Sequence, residues 1–174
     1  YIVGRLNEPG VVESSGGLHD LFFGYQNLKS DRLSAFEKCL KDAGIKATLS
    51  ENIRAVIWRK FIFISTTASL TSYFNVGFRD LLADESLRPF TLKFMNEVAA
   101  VAGAEGVHFE HDIIETTVRH IERLPFGTTS SMHTDFKAGR NTELSSLTGI
   151  VIETARKYGI PTPTYEKVYA ALKD

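Results

Sequence analysis

One stretch of this chain is long and apolar enough to dictate what surrounds it: Glu51–Phe74, ENIRAVIWRKFIFISTTASLTSYF. Between Ala55 and Ile64 only Arg59 and Lys60 are polar, so a helix here is apolar on nearly every face. Such a helix belongs in the middle of a domain, with other elements packed around it. Ser50 suits the N-cap and Glu51 the first turn, and Trp58, Phe61 and Ile62 supply an anchor at helical spacing. The run Phe61–Ser65 would also read as a buried strand. Helix is preferred because the apolar pattern starts well upstream and meets no breaker before Gly77. Lys60 sits in the most apolar part of the sequence, and two readings of it stand. Its four-carbon stem can carry the ammonium to the helix surface. Alternatively it is partly desolvated, with a lowered pKa, and poised to give up a proton.

At 174 residues the chain can bury one sizeable core, or one core and an appended piece. A net charge of −1 gives no electrostatic reason to expect nucleic acid or an acidic membrane as partner. The single cysteine, Cys39, excludes an internal disulfide framework and fits a reducing cytoplasm. The uncharged run Phe61–Phe78 raises the question of a membrane span. Eight of its eighteen residues are Ser, Thr, Asn or Gly, which argues against insertion. No signal-peptide pattern is present, and the chain opens on Tyr1 rather than Met. A part of something longer is therefore expected.

Residues 1–27 read as short strands. YIVGRL and GVVES are separated by the turn signal Glu8-Pro9-Gly10, and Gly16-Gly17 marks a second turn before LHDLFFGY. These are too few strands for a sheet of their own, and they are expected to complete a sheet elsewhere. From Ser30 the pattern is helical: Asp31–Ala43 (stripe Leu33, Phe36, Leu40, Ala43) with Gly44 as stop, then one short strand at Ile45–Leu49. Beyond the central helix, Phe78–Ala83, Leu87–Gly103, Asp112–Leu124, a helix from Glu143 to Tyr158 and Thr164–Lys173 follow. The inner face of Leu87–Gly103 is Phe90, Phe94, Val98 and Val101. His108-Phe-Glu-His111 places two histidines and a carboxylate close together but matches no strong metal signature. Structural or surface roles are expected, and no metal ligand is assigned.

The segment TTSSMHTDFKAGRNTE, residues 128–143, differs from its surroundings. Thr128, Thr129 and Ser130 supply cap oxygens, and Ser131-Met132 opens a short helix that stops at Gly139. Asn141 or Thr142 then caps the next helix, with Glu143 in its first turn, where the dipole keeps a carboxylate ionised. Plain helix capping is one reading of this segment. A binding site is the other, given such density of positionable polar groups in an otherwise apolar chain.

SSMHTDFKAGRNTE, with the upstream Trp58-Arg59-Lys60, resembles the C-terminal domain of 2-dehydropantoate 2-reductases, also called ketopantoate reductases. The fragments LFFG (21–24), AGI (43–45) and Gly159-Ile-Pro-Thr-Pro163 agree, so the likeness runs from about residue 18 to the end. The implied fold is mainly α: a helical C-terminal domain of the ketopantoate reductase and 6-phosphogluconate dehydrogenase type. Residues 1–27 would be the last strands of a Rossmann domain, and residues 28–174 the helical catalytic domain. No G-x-G-x-x-G occurs, so NADPH would be bound mainly by a missing N-terminal Rossmann domain, and the fragment alone would be inactive. The resemblance makes Lys60 the general acid, Ser131 a substrate ligand, and Glu143 a ligand of the substrate hydroxyl or the cofactor ribose. The implied function is reduction of a small 2-keto acid, 2-dehydropantoate to pantoate in pantothenate biosynthesis, by a cytoplasmic enzyme with a homodimer as candidate assembly. The family commonly has Asn one and two turns after the lysine, whereas this chain has Ile64 and Ala68. A non-catalytic helical dimerisation or ligand-binding module, or a dehydrogenase of another 2-hydroxy acid, are the alternatives.

Overall fold

The computed structural model describes residues 2–25 and 30–173, with backbone alone at 2–7 and 14–19. It consists of two compact units, Tyr1–Ile57 and Trp58–Asp174. The boundary expected at 27/28 touches residues outside that description.

In the first unit β1 (Ile2–Glu8) and β2 (Val11–Phe23) form an antiparallel hairpin, and β2 pairs in parallel with β3 (Lys46–Leu49). The hairpin turns at Gly10, whose φ of 86° is a conformation that glycine adopts without strain. The second turn expected at Gly16-Gly17 does not form. Instead β2 runs on, and its ladder with β1 slips between the pairs Ile2↔His19 and Gly4↔Ser14. Two glycines weaken a strand and let it bulge, and here they do that rather than reverse it. Parallel pairing of β2 with β3 requires a crossover, which α1 (Asp31–Asp42) supplies. Ser30 occupies the N-cap of α1 but its side chain makes no cap bond. Phe36, expected on the inner stripe, is 52% exposed although its ring meets Phe23 edge-on at 5.4 Å. The tie to the sheet is polar: the half-buried Glu37 carboxylate accepts the Leu49 N–H at 2.9 Å.

The long helix α2 (Ile53–Phe74) begins one residue after Asn52, whose side-chain oxygen accepts the Ala55 N–H at 3.1 Å. Asn52 therefore takes the capping role expected of Ser50. All seven residues Ser65–Thr71 are buried, so the helix is covered on every side there. Trp58 and Phe61 meet edge-on at 5.5 Å but are only half-buried. The fully enclosed part of α2 thus lies one to three turns beyond the expected aromatic anchor. Small Ser, Thr and Ala side chains allow neighbouring elements to approach closely there, provided that the hydroxyls find acceptors.

Around α2 the second unit continues with α3 (Asp80–Ala83), α4 (Arg88–Ala104) and α5 (Ile113–Glu122). Then come α6 (Ser131–Lys137), a π-helical turn (Ser145–Gly149) leading into α7 (Ile150–Lys157), and α8 (Pro163–Lys173). The architecture is mainly helical, as expected. Pro89 occupies the first turn of α4, where its missing N–H costs nothing. Phe94, Val98 and Val101 on α4 are fully buried, and Phe94 stacks on Tyr165 of α8 at 3.7 Å between centroids. The buried Glu97 carboxylate accepts the N–H groups of Thr164 and Tyr165 at 3.0–3.1 Å and so caps α8 from α4. Asp112 caps α5 by accepting from Ile114 and Glu115. No helix among the described residues is long and apolar enough to cross a membrane.

Candidate active site

The hydroxyl groups on α2 determine how the polar segment 128–149 is held. Thr71 Oγ1 pairs with Ser130 Oγ at 3.0 Å, and Ser130 Oγ also accepts the His133 N–H at 3.0 Å as cap of α6. Ser131 is therefore the first residue of a helix pinned at its start to α2, and its side chain is exposed. His133, buried, uses both ring nitrogens: Nδ1 with the Thr129 hydroxyl at 2.6 Å and Nε2 with Asn75 Oδ1 at 2.8 Å. A carboxamide oxygen only accepts, so Nε2 carries the proton and Nδ1 accepts from Thr129. Burial, and secondarily the Lys137 charge, hold the His133 pKa below its ordinary value, which keeps this neutral tautomer. Asn75 adopts φ 55°, a left-handed conformation that Asn tolerates better than most residues, just past the end of α2. The same loop is fixed again by Phe78 N–H to Thr128 O at 2.8 Å.

After α6 the chain reverses at Gly139 (φ 64°), and Arg140 Nε and Nη2 both reach Asp135 Oδ1 at 2.8 and 2.7 Å. Glu143 follows. Its carbonyl accepts the Leu147 N–H at 2.9 Å, so it stands in the cap position rather than in the first turn expected for it. Its side chain is exposed. The helix then opens in a π-turn, with Ile150 N–H reaching Ser145 O across five residues. Two α2 hydroxyls clamp that turn: Ser65 Oγ donates to Leu147 O at 2.7 Å, and Ser69 Oγ pairs with Thr148 Oγ1 at 2.7 Å. Sequence periodicity gave no sign of this clamp or of the His133 contacts.

Met132 and Leu144 pack together on Ala68 in one buried cluster. Ser131 and Glu143 are the residues immediately before these two, and both are exposed. Lys60 is on α2, eight residues before Ala68, about 12 Å along the helix axis. Lys60 and Thr71 are eleven residues apart, three turns and about 20°, and so share a stripe of the helix. The partial burial considered for Lys60 is not found, for its side chain is exposed. Ala68 is sealed at 2% exposure, whereas Ile64, between Lys60 and Ala68, is half-buried. His108 and His111 are both exposed.

Comparison with known proteins agrees with this architecture. Residues 52–174 match the family model for the ketopantoate reductase PanE/ApbA C terminal. The protein named uncharacterized oxidoreductase YkpB of Bacillus subtilis (strain 168) is 28% identical over 174 residues, covering 99% of this chain and 57% of its own. A 2-dehydropantoate 2-reductase of Halobacterium salinarum is 26% identical over 156 residues, covering 90% of this chain and 51% of its own. This chain thus spans a little over half the length of these relatives. Among solved structures, a PanE/ApbA family ketopantoate reductase from Ralstonia eutropha JMP134 superposes with TM-score 0.86 at 24% identity. That match covers 99% of this chain and 56% of the other, and it establishes a shared fold. With the family model covering everything from Asn52 onward, the chain belongs to the ketopantoate reductase family and carries its helical C-terminal domain.

Proposed function

We propose that the intact protein reduces a small 2-keto acid to the 2-hydroxy acid with NADPH, and that Lys60, Ser131 and Glu143 serve this reaction. The observation that carries the reading is that Met132 and Leu144, the chain neighbours of Ser131 and Glu143, pack on Ala68 of the helix that also bears Lys60. Reduction of a ketone requires a proton donor for the nascent alkoxide and neutralisation of its growing negative charge. A lysine ammonium can do both. In this account the Lys60 ammonium hydrogen-bonds the keto oxygen and delivers a proton to it as the C–O π bond breaks. The Ser131 hydroxyl donates to the substrate and fixes its orientation. The Glu143 carboxylate accepts from a hydroxyl, on the product or on the cofactor ribose.

An exposed carboxylate at a helix start fits a ribose hydroxyl, so Glu143 would hold that part of the dinucleotide. No glycine-rich fingerprint for the pyrophosphate occurs in the sequence, and the rest of the cofactor would be held outside residues 1–174. When bound, the dinucleotide supplies the hydride. The relatives' names make 2-dehydropantoate the first substrate to assay. NADPH oxidation by the intact protein, followed against a panel of 2-keto acids, tests the reading. Turnover with at least one of them is expected, and none with any would overturn it.

A further inference from the structure

We infer that the protein binds a small amphipathic amine, an ammonium joined to an apolar body that ends in a hydroxyl, in a groove between α7 and α8. The inference stands apart from the reductase reading, since Lys60, Ser131 and Glu143 do not line this groove. Ile150, Glu153 and Arg156 recur at three-residue steps on α7 and so share one face of it. Glu166, Tyr169 and Ala170, three and four residues apart, do the same on α8. Between these faces lies a cavity of about 600 Å³, within the size range of small-molecule sites. The π-turn Ser145–Gly149 forms its end, and such turns are frequent at functional sites. The Tyr169 ring lies against Gly149, where an added Cβ would come 3.0 Å from Cε2, so glycine lets the ring settle there.

The polar groups that face this cavity are only loosely engaged. Ser145 Oγ and Tyr169 Oη stand 3.5 Å apart, whereas a good hydroxyl pair closes to about 2.7–2.8 Å. Arg156 Nη2 and Glu166 Oε1 are 3.7 Å apart, against about 2.7–2.9 Å for a tight charge-assisted bond. Glu153 meets Lys157 at 3.6 Å. Ion pairs this long and this exposed contribute little, so a ligand can displace them at small cost. Ser145 and Arg156 are eleven residues apart, which sets the hydroxyl pair and the charged pair at opposite ends of the α7 wall. Ile150, Ala170 and the Tyr169 ring supply apolar surface between them. Two carboxylates, Glu153 and Glu166, line the cavity with one guanidinium, Arg156. That surplus of negative charge selects a cation, and the hydroxyl pair at the other end suits a polar tip.

The test is calorimetric titration of the intact protein with tyramine, which carries an ammonium and a phenol hydroxyl at the two ends of one ring. Saturable binding is expected. The matching anion, 3-(4-hydroxyphenyl)propanoate, should bind at least about tenfold more weakly, because a carboxylate replaces the ammonium. Phenethylamine, which lacks the hydroxyl, should bind about threefold or more weakly than tyramine. The double variant Glu153→Gln, Glu166→Gln changes two exposed side chains and is expected to keep its unfolding midpoint. Its affinity for tyramine should fall at least about tenfold. No saturable binding of tyramine, or equal affinity for the anion, would overturn the inference on the native protein alone. Unchanged affinity in the folded variant would place the ammonium away from these carboxylates and overturn it too.

Discussion

His133 is held by partners that lie 4 and 58 residues away along the chain, and this determines both what it does and why it was missed. Its ring ties the end of α2, through Asn75, to the start of α6, where Ser131 lies. Because its pKa is lowered in the fold, the unfolded chain binds a proton at higher pH than the folded one. The stability it contributes is therefore complete above about 6.5 and is lost as pH falls from there through the lower folded value. His120, lowered by burial and then by Arg123, acts in the same direction, so the two must be separated by substitution. Urea melts of the native protein and of His133→Gln at pH 8, 6.5 and 5 are expected to converge as the pH drops. Parallel curves would show that His133 is not protonated on unfolding. Lys60, Ser131 and Glu143 could be singled out as candidates because they fall in a recognisable pattern of residues. Asn75 and His133 were not, because no local spacing connects them.

At the scale of elements, helix limits were legible wherever a breaker or cap coincided with a 3.6-residue apolar period. Pro89 at the start of α4, Gly139 after α6 and Gly159 after α7 are such cases. The π-turn was not legible, because shifting one hydrogen bond by a residue leaves the apolar pattern intact. Hydrophobicity also misplaced the centre of α2: bulky Trp58 drew attention, while the enclosed segment is, apart from Leu70, made of hydroxyl-bearing and small residues. The energetic order should follow burial. Phe94→Ala, fully buried against Tyr165, is expected to cost about 3–5 kcal/mol, and Trp58→Ala clearly less. Denaturant unfolding decides this, and a larger loss at Trp58 would contradict the order. Glu97→Ala should cost roughly 1–3 kcal/mol, since it leaves the Thr164 and Tyr165 N–H groups of α8 without their acceptor. A value near zero in the same melts would show that water replaces the carboxylate.

At the scale of the whole molecule, the family assignment rests on Asn52 to Asp174, and the helical unit alone was enough to indicate it. The strand–helix–strand of the first unit was only half legible. Its turn at Gly10 and its third strand were readable, but the continuous β2 was not, because paired glycines signal a reversal and a bulge equally well. The central claim concerns one side chain of that helical unit, the lysine proposed to give its proton to the substrate. The measurement that tests it most directly is kcat of Lys60→Ala in the intact protein, with NADPH and the best 2-keto acid. The account predicts a fall of about 10²- to 10⁴-fold with an unchanged circular dichroism spectrum and unfolding midpoint. A folded variant that retains kcat within a factor of about three would contradict it, and Lys60 would then be a surface cation without part in the chemistry.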